Sequence, residues 1–438
     1  MRESRTRLLC VTGLVLLALY IGRNHVQNKK EIPHQAYLMY GQANPDEKVR
    51  ETSLTNVRAN NSNTSELRDI YKVRRDRVTT VCTEPRYKYR GQKAQGNGRK
   101  NILIDRPQRL AYCPIQKSAS TFWKRVYRIV VGQSKATSPF DPSVPALKKF
   151  DSIALMSDNQ ADDFVDKSLS FMFVREPYGR LFSGYVDKLF SPNVMFWRNI
   201  GAFGISIFRK NPSSVDLRCG HDLTFSEFVK TVLYSDKHNI KRNGHFTPQY
   251  EHCDPCHYNY DVIGTLETLS EDTFYLLDRM GKTNLKKSLE IDFRGQSLND
   301  TIRDQVNMLF AFHKGYRDCK VSFFEAQQRM WKKFQIRGVI SKNSKYPIRQ
   351  DQSERLTKET LTALIYQGMG DAVDKNVAKK NKHDALIEAF STVDKKDMDS
   401  LSKLFGPDCE LFGYDCRPSK LFDINTPITP WFFDINIA

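Results

Sequence analysis

The chain has 438 residues, a length that allows two or three ordinary domains or one large domain with extensions. Hydrophobic residues make up 40% and charged residues 27%, which excludes a wholly disordered chain, a collagen-like chain and a multi-spanning membrane protein. Nine cysteines are too few for a small disulfide scaffold. The formal net charge of +18 attracts anions such as nucleic acids, anionic lipids, phosphorylated cofactors or acidic polysaccharides.

The N-terminus carries an address signal. Residues 8–22 form an uncharged apolar run with arginines on both sides, which predicts entry into the secretory route. No pair of small residues closes the run, so we expect an uncleaved signal anchor with residues 1–7 in the cytosol and the rest in the lumen. The run is short for an average bilayer and suits the thinner membranes of the early secretory pathway. The alternative is a cleaved signal peptide and a secreted protein.

Residues 23–100 are polar and charge-mixed, which predicts a largely disordered luminal stem with one helical patch near 65–78. We expect the folded luminal domain to occupy residues 101–438. Luminal placement agrees with three N-glycosylation sequons, at Asn60, Asn63 and Asn299.

Outside the apolar run the cysteines number eight, an even set that predicts disulfides in an oxidising lumen without fixing their pairing. They are Cys82, Cys113, Cys219, Cys253, Cys256, Cys319, Cys409 and Cys416. The segment from His252 to His257 also suggests zinc, because histidines flank a CxxC pair. It lacks a second pair of ligands, so disulfides are favoured and no metal site is predicted.

Two stretches share a strand, loop and helix pattern. Apolar runs at 110–115 and 169–174 are followed by short polar loops and by helical stretches at 122–131 and 180–190. Apolar runs bounded by polar turns are typical of strands that are covered on both faces, so the sequence predicts an α/β fold with a parallel sheet flanked by helices. Further elements are expected as a strand at 260–266 and helices at 223–234, with Thr224 as N-cap, 270–280, 298–315 and 356–367.

The loop after the first strand is a candidate anion site. A strand that runs into small polar residues and then a helix directs backbone N–H groups and the positive helix end at one point. Lys117 adds a charge, and Ser118, Ser120 and Thr121 add hydroxyl donors. The alternative is an ordinary strand-to-helix turn with an exposed lysine. The loop lacks the GxxxxGK[ST] pattern of a Walker A motif.

The second loop places Arg175 at a strand end, with Arg180 and Ser183 on the following helix. An arginine at the carboxyl end of a parallel strand opens toward the crevice where such sheets bind ligands, and its fork grips phosphate bidentately. The alternative is a surface arginine that pairs with the neighbouring Glu176.

These segments together resemble the nucleotide-binding signatures of the Golgi carbohydrate sulfotransferases, the group of the chondroitin and dermatan 4-O-sulfotransferases and the HNK-1 sulfotransferase. The resemblance lies in 113–125 (CPIQKSASTFWKR) and 173–185 (FVREPYGRLFSGY), with support from 244–269 and from LFGY at 411–414. Gln116, Phe122 and Phe246 stand where that family has proline, asparagine and tryptophan.

The resemblance implies a P-loop-like parallel β-sheet and 3′-phosphoadenylyl sulfate (PAPS) as sulfuryl donor, with no metal required. It assigns the first loop to the 5′-phosphosulfate and the second segment to the 3′-phosphate. The implied donor-binding residues are Gln116, Lys117, Ser118, Ala119, Ser120, Thr121, Phe122, Arg175, Arg180 and Ser183. Lys117 would also be catalytic by neutralising the departing phosphate. His245 is the candidate general base because imidazole titrates near neutrality, with His221 or Glu176 as alternatives.

The implied acceptor is an acidic glycan, with O4 of N-acetylgalactosamine in chondroitin or dermatan as first choice and O3 of glucuronic acid as second. A basic acceptor cleft is expected from Lys124, Arg125, Arg128, Lys148, Lys149, Lys188, Lys241 and Arg242. The expected location is the Golgi membrane as a single-pass type II protein, and the luminal address argues against nucleic acid. One alternative is a Golgi glycosyltransferase, whose DxD motif occurs at 397–399 in a helical-looking stretch. The other is a non-catalytic glycosaminoglycan-binding protein.

Overall fold

The computed structural model describes residues 59–87, 98–424 and 428–435. The signal anchor expected at 8–22 and the first part of the expected stem lie outside the described residues. The chain divides into two units, residues 1–60 and 61–438, and the second contains all that follows. No helix within the described ranges is both long and apolar enough to cross a membrane.

A four-stranded sheet lies at the centre of this unit. The strands follow one another in space as β1 (Leu103–Asp105), β2 (Leu110–Cys113), β3 (Leu169–Val174) and β4 (Val262–Thr265). The pairs β2–β3 and β3–β4 are parallel, which confirms the three predicted strands. The prediction of a parallel sheet is wrong at one edge, because β1 pairs antiparallel with β2. β1 has only three residues, too few to show an apolar pattern in the sequence.

Helices cover both faces of the sheet and build a second, all-helical half. In chain order they are α1 (Ala59–Cys82), α2 (Gly98–Asn101), α3 (Ser120–Val130), α4 (Asp158–Asp166), α5 (Pro177–Tyr185), α6 (Val194–Phe196), α7 (Ala202–Phe208), α8 (Ser214–Cys219), α9 (Phe225–Lys237), α10 (Gln249–Cys253), α11 (Leu269–Arg279), α12 (Thr283–Ala311), α13 (His313–Asp318), α14 (Phe323–Ile336), α15 (Lys358–Gln367), α16 (Lys375–Ser391), α17 (Lys395–Phe412) and α18 (Ser419–Phe422).

The predicted helices are present with shifted ends. Thr224 caps α9 and forms a capping box with Glu227, as its position predicts. The stretch expected at 298–315 is divided between α12, which bends at Asp292, and the short α13. The helix expected at 180–190 ends earlier as α5 and continues as a π-helical turn, Val186–Phe190.

Alternation along the strands gives the sheet two buried faces. Ala111, Met172 and Ile263 face one cluster, which includes Val165 of α4. Their neighbours face the other cluster with the aromatic residues of α3; these are Tyr112, Phe171, Phe173, Val262, Trp123 and Tyr127. Burial on both faces explains why the strands read as unbroken apolar runs.

α1 belongs to this folded body. The Tyr71 hydroxyl donates to Asp272 Oδ1 at 2.5 Å, and Arg74 pairs with the same carboxylate at 3.0 Å. Val78 is buried among the residues of the sheet, and Cys82 is bonded to Cys256. The folded unit therefore begins before the expected boundary at residue 101, because this helix has an apolar and ion-paired face that the polar composition of the stretch conceals.

All eight cysteines form disulfides, which confirms the predicted oxidised set. The pairs are Cys82–Cys256, Cys113–Cys253, Cys219–Cys319 and Cys409–Cys416. Both thiols of the CxxC segment are thus consumed, and each joins a different element. The zinc alternative is wrong because no thiolate remains there to bind a metal.

Candidate active site

The first loop leaves the N-terminus of α3 open. Lys117 and Ala119 adopt the left-handed region, with φ of 69° and 60°, an uncommon state for residues other than glycine. Ala119 occupies the N-cap position and provides no side-chain cap. The first N–H groups of α3 therefore lack the partner that a serine or aspartate cap would give, and the positive end of the helix suits an anion.

The Lys117 ammonium group lies in a bridge of charges. Its Nζ is 2.8 Å from Oδ2 of Asp187, whose Oδ1 is 2.7 Å from Nζ of the fully buried Lys333 of α14. Lys188 Nζ lies 3.1 Å from the same carboxylate. Asp187 thus contacts three lysines, so this cluster contains more positive than negative groups. Asp187 and Lys333 are not predicted from the sequence, since nothing in their local pattern links them to Lys117.

Burial and charge shift the pKa values of this bridge. Burial, opposed by Asp187, lowers the pKa of Lys117 to about 7 and that of Lys333 to about 8. Burial favours the neutral form of Asp187 as well, but the surrounding lysines hold its pKa well below the ordinary value. Asp187 is therefore charged, and Lys117 changes its charge near neutral pH.

Arg175 brings the second loop against the first. Its Nη1 donates to the carbonyl of Lys117 at 3.3 Å, and burial lowers the pKa of its guanidinium. Glu176 caps α5 by accepting the N–H groups of Tyr178 at 3.0 Å and Gly179 at 2.6 Å. The N-terminus of α5 is closed in this way and that of α3 is not. A carboxylate held as a cap is a poor candidate for the general base.

Arg180 has a positioning geometry. This buried side chain donates to the carbonyls of Gln116 at 2.9 Å, Thr247 at 2.7 Å and Gly244 at 2.9 Å. It therefore fastens the first loop to the segment around His245, and its contact with the donor stays a prediction. Ser183, three residues along α5, is half-buried.

Gln249 forms hydrogen bonds to residues of both loops. It is fully buried, and its Oε1 accepts the Arg175 N–H at 2.8 Å and the Ser118 hydroxyl at 3.4 Å. Its Nε2 donates to the Arg175 carbonyl at 2.8 Å, and its own N–H is accepted by Asp408 of α17 at 2.8 Å. Ser118 is fully buried, its hydroxyl donates to Gln249 and its N–H donates to the Ile115 carbonyl at 3.1 Å, and its contact with the donor stays a prediction.

The rest of the first loop divides by exposure. Ser120 is half-buried and Thr121 is exposed, so their hydroxyls remain accessible. Phe122 packs against the rings of Phe140 and Phe293, with centroids 5.5 and 5.2 Å away. Its side chain therefore forms an apolar wall beside the start of α3.

His245 is a neutral imidazole beside the lysines. Asn243 Oδ1 lies 2.6 Å from its Nδ1 and also accepts its backbone N–H at 3.1 Å, so Nδ1 carries the proton and Nε2 is the basic nitrogen. Burial, followed by the charges of Lys188 and Lys117, lowers the pKa of His245 to about 2. An anion bound among these groups would raise that pKa by offsetting the lysines.

His221 lies elsewhere. It lines a cavity of about 880 Å³ together with Tyr185, Arg329 and Glu388, and burial and Arg329 lower its pKa. Among the described residues His221 makes no contact with Lys117, and this disfavours His221 as the general base.

Three residues of the expected basic cleft bind other groups of the protein. Arg125 binds Asp300 at 2.6 Å, Arg128 donates to the Pro145 carbonyl at 2.6 Å, and Arg242 pairs with Glu251 at 2.5 Å. These three were wrongly assigned to an acceptor surface. Lys188 lies at the site, Lys124 is half-buried, and Lys148, Lys149 and Lys241 are exposed. The DxD residues lie within α17, with Lys230 bridging Asp394 and Asp397, and not after a strand.

An open helix end, a cluster of cations and a neutral imidazole define a site for a compact, highly charged anion next to a proton acceptor. Residues 100–305 match the sulfotransferase family. Both loops, His245 and Gln249 fall within the match.

The individual relatives of the chain are carbohydrate sulfotransferases, a narrower class than the family as a whole. The chain is 34% identical over 228 residues to carbohydrate sulfotransferase 11 of Mus musculus, a match that covers 50% of this chain and 64% of the relative. It is 34% identical over 184 residues to carbohydrate sulfotransferase 14 of Danio rerio, covering 41% and 48%. For carbohydrate sulfotransferase 8 of Homo sapiens the identity is 29% over 182 residues, covering 40% and 42%. The matches span less than two thirds of these relatives, and no solved structure matches the chain. The resemblance to carbohydrate sulfotransferases is confirmed over this part of the chain.

Proposed function

We propose that the chain is a PAPS-dependent carbohydrate sulfotransferase that transfers a sulfuryl group to a glycan hydroxyl. The observation that carries the proposal is the meeting of Lys117, Arg175 and the uncapped start of α3 at one crevice beside His245. The donor carries a phosphosulfate and a 3′-phosphate, and the site offers clustered cations with a single charged aspartate among them. When bound, the donor supplies the sulfuryl group.

The chain's own residues have separate tasks in this scheme. The N–H groups at the start of α3 and the hydroxyls of Ser120 and Thr121 hold the 5′-phosphate, and Arg175 and Ser183 hold the 3′-phosphate. Lys117 exchanges Asp187 for the bridging oxygen and neutralises its negative charge as the sulfur–oxygen bond to phosphate breaks. Nε2 of His245 takes the hydroxyl proton as the acceptor oxygen bonds to sulfur. The products are a sulfate ester and 3′,5′-adenosine diphosphate, and the scheme requires no metal.

The acceptor proposed first is N-acetylgalactosamine of chondroitin or dermatan, sulfated at O4, and the second is glucuronic acid at O3. The proposed location is the luminal side of the Golgi membrane, with residues 8–22 as anchor, 1–7 in the cytosol and a stem before the folded unit. The acidic glycan is the partner that the net charge of +18 favours.

The test uses the purified luminal part with radiolabelled PAPS and desulfated chondroitin, dermatan and heparan chains. We expect label in one chain type, and a loss of at least about a hundredfold in Lys117→Ala and Arg175→Ala, since the first removes a charged contact to the leaving oxygen and the second a charged contact to the 3′-phosphate. Lys380→Gln, at an exposed lysine paired with Asp384, is the control for loss of one charge. If the parent protein neither transfers label nor binds 3′,5′-adenosine diphosphate, the sulfotransferase proposal fails. Glycan binding alone would favour a non-catalytic glycosaminoglycan-binding protein, and manganese-dependent sugar transfer would favour a glycosyltransferase.

A further inference from the structure

α14 enters the site from outside the part of the chain that matches the family. The match ends at residue 305, whereas α14 spans Phe323–Ile336. Nζ of Lys333 in this helix lies 2.7 Å from the Asp187 carboxylate, and the same carboxylate also binds Lys117. Arg337 follows at the end of the helix, and its N–H donates to the Lys333 carbonyl at 3.0 Å. Residues four apart share one helix face, so Arg337 lies one turn beyond Lys333 on the side of the site.

The Arg337 guanidinium lies among cations. Lys117, Arg175, Lys333 and Lys382 of α16 are close enough to repel it. Its attractive partner is Asp187, which already binds three lysines. No carboxylate of the described residues lies within ion-pairing distance of Arg337. The half-buried Arg337 therefore shares one carboxylate with three lysines, and a further negative charge from a ligand would be favourable here.

α16 continues the same positive surface outward. Lys382 is exposed, and its charged neighbours are Arg337, Arg294 and Arg175. The positive charge therefore runs from the buried Lys333 through Arg337 to an exposed lysine. A long acidic chain that contacts Lys382 from solvent would therefore meet Arg337 next.

We propose that Arg337 and Lys382 form an acceptor subsite that binds an acidic group, a carboxylate or a sulfate ester, of the glycan. The inference rests on the proposed function. Both donor segments lie within the stretch that matches the family, so the donor has its residues there. Cations added by helices outside that stretch suit the acceptor, the substrate that varies between enzymes with a common donor.

The experiment compares Arg337→Gln, Arg337→Lys and Lys382→Gln with the parent protein and with Lys380→Gln. Lys380 lies on α16 two residues before Lys382, on a different face, so its loss changes the net charge equally. Two quantities are measured: the affinity for 3′,5′-adenosine diphosphate, and the KM and binding affinity for desulfated chondroitin and its carboxyl-reduced derivative with 3′,5′-adenosine diphosphate present.

We expect Arg337→Gln to raise KM and weaken binding of desulfated chondroitin by about tenfold or more, as for a lost charge-assisted hydrogen bond. The carboxyl-reduced chain should change little, and Arg337→Lys should restore part of the difference. Affinity for the nucleotide should stay within about twofold in all variants.

Weaker nucleotide binding with unchanged acceptor affinity would assign Arg337 to the donor and overturn the inference, as would unchanged values for both. If Arg337→Gln does not fold, the exposed Lys382→Gln decides by the same criteria. A parent protein that binds no nucleotide would instead refute the proposed function.

Discussion

Lys117 is balanced between its two protonation states. Burial lowers its pKa to about 7, and Asp187 alone prevents a larger fall. Its folded value lies below the ordinary one, so the free protein loses this proton as the pH rises through neutrality. A bound phosphosulfate favours the charged ammonium, so donor binding and protonation of Lys117 are linked.

This linkage predicts that affinity for 3′,5′-adenosine diphosphate with inorganic sulfate, used as a non-reacting mimic of the donor, falls as the pH rises above about 7. The limit is about tenfold per pH unit for one required proton. Calorimetry in buffers of different ionisation enthalpy should show proton uptake on binding at pH 8. Lys117→Arg, which stays charged throughout, should give a flatter profile. An affinity that is constant from pH 6 to 9 in the parent protein would contradict the assignment.

Among the elements, α10 does the most to hold the site together. Gln249 bonds to both loops, Asp408 of α17 accepts its N–H, and Cys253 at the other end of the helix is bonded to Cys113 at the end of β2. The loops after β2 and β3 are therefore fixed relative to each other by this helix. This is positioning by a buried polar side chain, and removing it leaves several groups unsatisfied.

Gln249→Met should consequently weaken nucleotide binding as well as folding. Each buried group left without a partner costs about 1–3 kcal/mol, and the Arg175 backbone loses two partners. Gln327→Met is the matched control, because Gln327 is also fully buried but bonds to Tyr346 and the Ser353 carbonyl. We expect similar losses of unfolding free energy in urea for both variants, and loss of nucleotide affinity for Gln249→Met alone. Equal nucleotide affinities would show that Gln249 stabilises the fold without ordering the loops.

The sequence predicts those elements whose residue pattern lies within one short segment. The runs that form β2 and β3 are apolar on both faces, and the loops that follow them carry Lys117 and Arg175. Asp187, Gln249 and Lys333 could not be predicted, because their roles depend on contacts between distant segments and each lies in an unremarkable helical pattern. For Arg180 and Ser118 the motif fixes the positions but not the directions of the side chains, which donate to three backbone carbonyls and to Gln249.

Across the whole molecule, ion pairing makes the distribution of positive charge uneven. Arginines away from Lys117 are neutralised, such as Arg125 by Asp300 and Arg209 by Glu227, whereas the cluster around Asp187 keeps an excess of cations. The net charge of +18 is therefore expressed partly as a local field at the site, which raises the local concentration of an anionic ligand and weakens with added salt.

The folded unit also depends on α1, which the composition assigns to the stem. Asp272 is almost fully buried and has two charged or polar partners from this helix, Tyr71 and Arg74. Its remaining partners include the Thr265 N–H at 2.7 Å and the Thr268 hydroxyl at 2.8 Å. Without α1 the carboxylate would lose its cation and the Tyr71 hydroxyl, and Cys256 would lose its disulfide partner.

A protein that begins at residue 101 should therefore be less stable than one that begins at residue 59. Removing one partner of a buried ion pair typically costs about 3–5 kcal/mol, and losing a disulfide costs about 2–5 kcal/mol. Urea unfolding of the two forms measures the difference, and Arg74→Met and Cys82→Ser in the longer form separate the two contributions. Asp69, an exposed residue of the same helix, provides the control Asp69→Asn, which should leave the unfolding midpoint unchanged. Equal midpoints for the two forms would mean that α1 lies against a body that is already complete at residue 101.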